Sequence, residues 1–337
     1  MVYWLILAGI SFSAMFARNK LGDNLVIFFL FITAGFIAPG VSQDYYNYVN
    51  GYYLTSPVLF PETFSKLIFR ITAQLGLPIS VSFIVFAFLS LYIKKKALNR
   101  LGIPITVFLV VYFSKLFLLL DLTQVRASVA VAFCLLALNE YIRNNIKACI
   151  LYIIIGFFFH FSAIMFFVVF LVGKNAPKKL LWLTLVLLSM ALAMIDLRQI
   201  LFSLLSILHA PANYMVYLTD TDNFEVNPFS LLSIVNVLVF VAFSLYRTPG
   251  DEALTNVCYK LYGISILSFY LFINFPVLSF RISEFFLVYQ VILISGFIKN
   301  IKATQRIIYI ALLMVFSVLQ LYITYNVAGI ISDYKFL

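Results

Sequence analysis

Residues 103–120, IPITVFLVVYFSKLFLLL, and 124–142, QVRASVAVAFCLLALNEYI, are two apolar runs parted only by Asp121, Leu122 and Thr123. A helix needs roughly 17–25 predominantly apolar residues to cross a hydrocarbon core, and a stretch that is apolar on every face has no side to offer water. Each run meets that requirement. So short a joint allows a turn at a membrane face.

Working outward, further apolar runs bounded by charges or turn residues fall at 2–17, 24–39, 77–93, 148–172, 180–209, 228–246, 257–275, 282–299 and 304–325. Apolar and aromatic residues make up 64% of the 337, and charged ones 11%. An ordinary globular chain has about half and about a quarter. The expected fold is therefore all-α: a polytopic integral membrane protein of about 10–12 transmembrane helices, forming a single domain over 1–337 with no separate soluble part. Segment 2–17 reads as a retained span, since no basic stretch precedes it and the apolar pattern resumes at Leu25. Three scattered cysteines and two histidines argue against a disulfide or metal framework, and no cofactor is expected. The net charge of +10 is dispersed among the spans instead of forming one stripe, which argues for membrane orientation over nucleic acid.

Short cytoplasmic loops collect Lys and Arg. That rule assigns Arg18 and Lys20, the run Lys94, Lys95, Lys96 with Arg100, Arg143 with Lys147, Arg247 with Lys260, and Lys299, Lys302 and Arg306 to the cytoplasmic side. The outer side then receives 40–76, the turn around Asp121, 210–227 and 274–284, and the N-terminus. One region resists: Lys174, Lys178 and Lys179 follow a single run after Lys147. Either that run breaks at His160 and re-enters, or this loop is outer and basic. In the outer loop 40–76, QDYYNYVNGYY (43–53) is too polar to span, while Phe64, Leu67, Ile68, Ile71 and Leu75 recur at helical spacing opposite Ser65, Lys66, Arg70 and Gln74. The pattern predicts an amphipathic helix near 62–75 lying in the outer interface.

Ionisable groups at membrane depth cost on the order of 2.5–3.5 kcal/mol each near a helix centre on insertion scales, so each invites a functional reading. The candidates are Arg126, His160, Arg198, Arg281 and Glu284, with Asp121 and Lys115 near the outer interface. Arg126 opens its span beside Gln124 and Asp121 and next to the small Ala127, Ser128 and Ala130. It can grip a pyrophosphate bidentately, snorkel to headgroups, or pair with Asp121. Arg281 and Glu284, at i and i+3, form a self-neutralised pair or contribute to an anion clamp opposite Arg126. His160, in GFFFHFSAI (156–164), is either a packing imidazole or a general base, and Ser162 diverges from it if the segment is helical. Asp44 among Tyr45, Tyr46 and Tyr48 suits a sugar ring as well as it suits an interfacial tyrosine belt.

The stretches DYYNY (44–48), PETFSKL (61–67), VRASVAVA (125–132), FFFHFSAI (157–164) and FRISEFF (280–286), in this order and spacing, resemble the EpsG-like branch of the bacterial Wzy-type polysaccharide polymerases. The resemblance implies an inverting, metal-independent glycosyltransferase at the outer face of the bacterial inner membrane. It would join oligosaccharide units carried on undecaprenyl pyrophosphate, for O-antigen or a related surface polysaccharide. Its implied partners are the lipid-linked donor and acceptor, membrane lipid, and a protein that regulates chain length. Asp44, Tyr45 and Tyr48 match the family's outer D-Y-x-x-Y, Arg126 its R-x-x-x-A, His160 its H-x-S-A and Arg281 its late R-x-x-E/Y. The Arg that often precedes the Asp is absent from APGVSQD (38–44). On this reading Arg126 and Arg281 hold the donor, with Arg70, Gln124, Tyr45 and Tyr48 around them, and the base is sought among His160, Asp44 and Glu284, His160 first. The alternatives are a lipid-linked sugar flippase, whose charges would be spread through both leaflets, and a ligase of finished polymer.

Overall fold

The computed structural model describes residues 1–16, 20–53, 62–195, 226–246 and 253–337, together with 203 and 207. Arg198 and nearly all of the expected outer loop 210–227 lie outside these described residues. The protein is all-α. In chain order the helices are α1 (Val2–Phe16), α2 (Lys20–Gly35), α3 (Tyr45–Tyr53), α4 (Thr63–Gln74), α5 (Ile79–Leu101), α6 (Ile105–Tyr112), α7 (Val125–Ile142) and α8 (Ile146–Phe159). They continue as α9 (Val168–Val172), α10 (Lys179–Leu192), α11 (Leu231–Leu245), α12 (Ala253–Leu271), α13 (Pro276–Phe297) and α14 (Arg306–Tyr322). Among the described residues, Ile105–Thr123, Val125–Ile142, Pro276–Asn300 and Ala303–Val327 are long and apolar enough to cross a membrane, and five shorter apolar helices accompany them. The chain divides into two compact units, Met1–Val168 with Ile294–Leu337, and Val169–Leu293.

The first unit is sorted by charge. Lys95 Nζ bonds Asn24, Lys299 Nζ lies against Gly102, and Arg100 pairs with Glu140 at 3.1 Å. Asp23, Thr106, Lys299 and Arg306 line one cleft of about 230 Å³ at the same end. Basic connections far apart in sequence thus meet, as the positive-inside rule requires of loops sharing one face. At the opposite end the last residues lie along the loop after α2: Ser332 N–H donates to Val41 O (2.9 Å), Ala38 N–H to Lys335 O (3.0 Å), and Tyr3 OH to Ser332 O (3.1 Å).

Lys94 departs from the loop group to which the rule assigned it. Within the helical run Lys94, Lys95, Lys96 only the first shares a face with Ser90, one turn back, and that face is covered by α7 and by the π-helical continuation of α6, Phe113–Thr123. Lys94 Nζ reaches both carboxylate oxygens of Asp121 at 2.9 Å. Asp121 also accepts from Ser90 Oγ (2.6 Å), Ser128 Oγ (2.7 Å) and Tyr112 OH (2.7 Å). Lys94 is 3% exposed and Asp121 2%, so the expected surface turn at Asp121 is a sealed ion pair. Lys115, expected near the interface, is buried as well.

The run 148–172 breaks at His160, the first of the two readings left open. α8 stops at Phe159, His160 is extended (φ −156°, ψ 129°), and a 3-10 segment Phe161–Phe167 follows. The chain turns back sharply there, because Ala163 packs on Gly156, where an added Cβ would stand 3.1 Å from the Ala163 Cβ and 3.3 Å from the Ala130 carbonyl. Residues seven apart in a straight helix are about 10 Å apart along the axis. In the second unit, Lys260 Nζ donates to Val172 O (2.7 Å) and Gly173 O (3.0 Å), and Asn256 Nδ2 to Lys174 O (3.2 Å). Lys179 Nζ reaches Tyr246 O. The basic loop Lys174–Lys179 therefore shares one end of this unit with Lys260, in keeping with the charge rule.

Within the second unit α12 packs on α10 and α11 through Gly263, whose missing side chain is the seat of Trp182. A Cβ there would lie 2.6 Å from Trp182 Cε3. Gly263→Ala is expected to destabilise the protein by about 1–3 kcal/mol through overpacking. Thermal unfolding of detergent-solubilised protein checks it, and adding Trp182→Leu to the same chain should restore the melting temperature.

Candidate active site

At the end of the first unit opposite the basic connections, four side chains from four segments converge. α7 opens at Val125, so Arg126 stands in its first turn, and its Nη1 lies 2.6 Å from Glu62 Oε2. Glu62 immediately precedes α4 and is buried. From α3, the Tyr48 ring lies 5.5 Å from the guanidinium carbon and stacks on Phe69 of α4 at 5.9 Å. Burial pushes the Tyr48 phenol up, while the neighbouring Arg126 guanidinium pulls it down. The fourth side chain, His160, comes from the chain reversal, with Nε2 3.9 Å from Glu62 Oε1.

The reversal itself fixes the imidazole. Ser162 N–H donates to His160 Nδ1 (3.3 Å), Ser162 Oγ lies 2.7 Å from the same nitrogen, and the ring stacks on Phe161 at 4.7 Å. With Nδ1 accepting, the proton of the neutral ring stands on Nε2, the nitrogen that faces Glu62. Ser65 Oγ of α4 donates to Phe159 O at 2.8 Å, satisfying a carbonyl in the last turn of α8 and tying the two elements together. One carboxylate thus sits between a guanidinium and an imidazole N–H, in a site shielded by aromatic rings.

The EpsG family model matches residues 21–336. The chain belongs to the EpsG family. Membership makes it a membrane protein of polysaccharide-polymerase type, glycosyltransferase-like in its chemistry. No curated protein and no solved structure matches it.

Of the residues singled out in this EpsG-family sequence, the structure brings Arg126, His160 and Tyr48 together. Ser162 does not diverge from His160, since the segment is not α-helical there. Arg126 pairs with Glu62 and not with Asp121, which is taken by Lys94. Tyr45 is buried and stacks on Phe83 at 5.2 Å. Asp44 is half-buried one turn before Tyr48, accepting from Asn47 Nδ2 at 3.3 Å. Gln124 is half-buried at the joint before α7.

The amphipathic helix is present as α4, within one residue of its expected bounds. It buries Ser65, Phe69 and Thr72, and Leu67, Ile71 and Leu75 are exposed. Arg70 is exposed too, and lies about 12 Å along the helix axis from Glu62 at 1.5 Å per residue. It stands outside the cluster. Arg281 and Glu284 belong to the second unit, Arg281 exposed and Glu284 buried on α13. The residue that sequence reasoning missed is Glu62. Its only signal was an acid directly after Pro61, which reads as an ordinary helix opening.

Proposed function

We propose that this chain polymerises oligosaccharide repeat units borne on undecaprenyl diphosphate, at the outer face of the bacterial inner membrane, for O-antigen or a related surface polysaccharide. The observation that carries the reading is the convergence of Arg126 Nη1 and His160 Nε2 on a single anionic group, at the end of its unit opposite the basic connections. A lipid diphosphate is already a good leaving group, so the enzyme's task is to hold it and stabilise the charge that grows on it. Positioned donors do this far better in a water-poor cleft than in bulk solvent. A guanidinium adds two parallel bonds to a phosphate. Exposed Leu67, Ile71 and Leu75 on α4 set the site beside an apolar surface suited to the lipid half of such a substrate. Direct displacement of the diphosphate by the acceptor hydroxyl inverts the anomeric carbon and needs no metal ion.

Deleting the gene in its host tests the reading through the surface polysaccharide that remains. The expected result is lipid A core capped with single repeat units and no long chains. Long chains left on the carrier would instead indicate a ligase. The absence of any exported unit would indicate a flippase.

A further inference from the structure

Glu62 occupies the N-cap position of α4, yet its side chain makes no capping bond. A carboxylate at a helix start ordinarily satisfies free N–H groups and meets the positive end of the dipole. Here it is turned away, 5% exposed, to Arg126 at 2.6 Å and toward His160 at 3.9 Å. It occupies the place where a bound phosphate oxygen would receive Arg126, with His160 Nε2 close by. Resting on the function proposed above, we propose that Glu62 is the general base of the transfer and, until donor binds, an internal stand-in for the donor's diphosphate.

His160 is poorly set for the base's role, because Ser162 N–H occupies Nδ1 and the remaining nitrogen already carries the proton. It serves as a donor to the anion. When a diphosphate takes Arg126 and His160, like charge displaces the carboxylate, and a carboxylate freed of a neighbouring cation accepts a proton more readily. Its three side-chain torsions let it swing to the far face of the donor sugar. There the acceptor O–H gives its proton to Glu62, and the hydroxyl oxygen's electron pair forms the bond to the anomeric carbon. The bond from that carbon to the phosphate oxygen breaks, and its electron pair leaves on the lipid diphosphate held by Arg126. The base is released only when donor is seated, so acceptor is not activated in an empty site.

Glu62→Gln separates this role from simple support of Arg126. In nanodiscs, full-length E62Q is expected to bind undecaprenyl diphosphate roughly tenfold more tightly than the unaltered protein, because the ligand no longer displaces a charge-assisted hydrogen bond. In the deletion host, the same variant should lower polymer by about 10²–10⁴-fold, the usual range for a lost general base. Glu62→Asp, which keeps a carboxylate, should restore polymer at reduced yield and guards against a folding defect in E62Q. Weaker diphosphate binding by E62Q would show that Glu62 only positions Arg126, and polymer at the normal level would show that it is not the base. Either result overturns the proposal. Failure of the unaltered protein to bind undecaprenyl diphosphate would overturn the diphosphate site itself, and this proposal with it.

Discussion

Arg126→Ala is expected to leave a deletion strain with almost no long-chain polysaccharide, a fall of about 10²–10³-fold, which is what losing one strong transition-state donor costs. The guanidinium is the only full positive charge that the described site places on Glu62, and its side chain is 17% exposed, so little water shares that duty. A complication comes with the substitution: truncating one member of a buried pair leaves the other charge uncompensated, at about 3–5 kcal/mol. Protein level in the membrane must therefore be measured beside polymer yield. Arg126→Lys resolves the two effects, since it keeps a cation for Glu62 but gives up the two-pronged grip on phosphate. It should accumulate normally and still make little polymer. Full polymer yield from Arg126→Ala at normal protein level would remove the diphosphate site from consideration.

The second large effect concerns folding. Lys94→Met strips the counter-charge from Asp121, a carboxylate sealed among Ser90, Tyr112 and Ser128. The expected loss is about 3–5 kcal/mol, read as a lower melting temperature in detergent and lower abundance in cells. Lys94→Met combined with Asp121→Leu should recover much of it, because a buried pair replaced by apolar groups is often neutral or better. Equal stability of the single and double variants would mean that Asp121 finds a different partner. Asp121 lies at the joint before α7, only five residues before Arg126, so a loosened joint would show in polymer yield before it showed in abundance.

Much of this architecture could be read from apolar runs and charge. Arg126 and His160 stood out because an ionisable group costs so much in lipid, and the structure puts them on one carboxylate. What escaped reading depends on partners remote in sequence. No Pro or Gly marks the break at His160. That break is one of two readings of the run, and what decides for it is Ser65 bonding Phe159 O, a contact from outside the run, with Gly156 admitting Ala163 within it. Lys94 looked like its two neighbours because a triplet of lysines ends many spans, and only helical phase turns one of them inward. Glu62 looked like a cap because caps are local and common, whereas its actual partner lies 64 residues on.

The tail at Gly329–Leu337 is threaded along Phe36–Gln43, with bridges at Ile37 to Phe336 and Ser42 to Ile331. A ribosome delivers α1, α2 and this loop early and the tail nearly a whole chain later. A nascent protein therefore carries an unfastened loop leading into Asp44 and Tyr48 until residues 329–337 have been made.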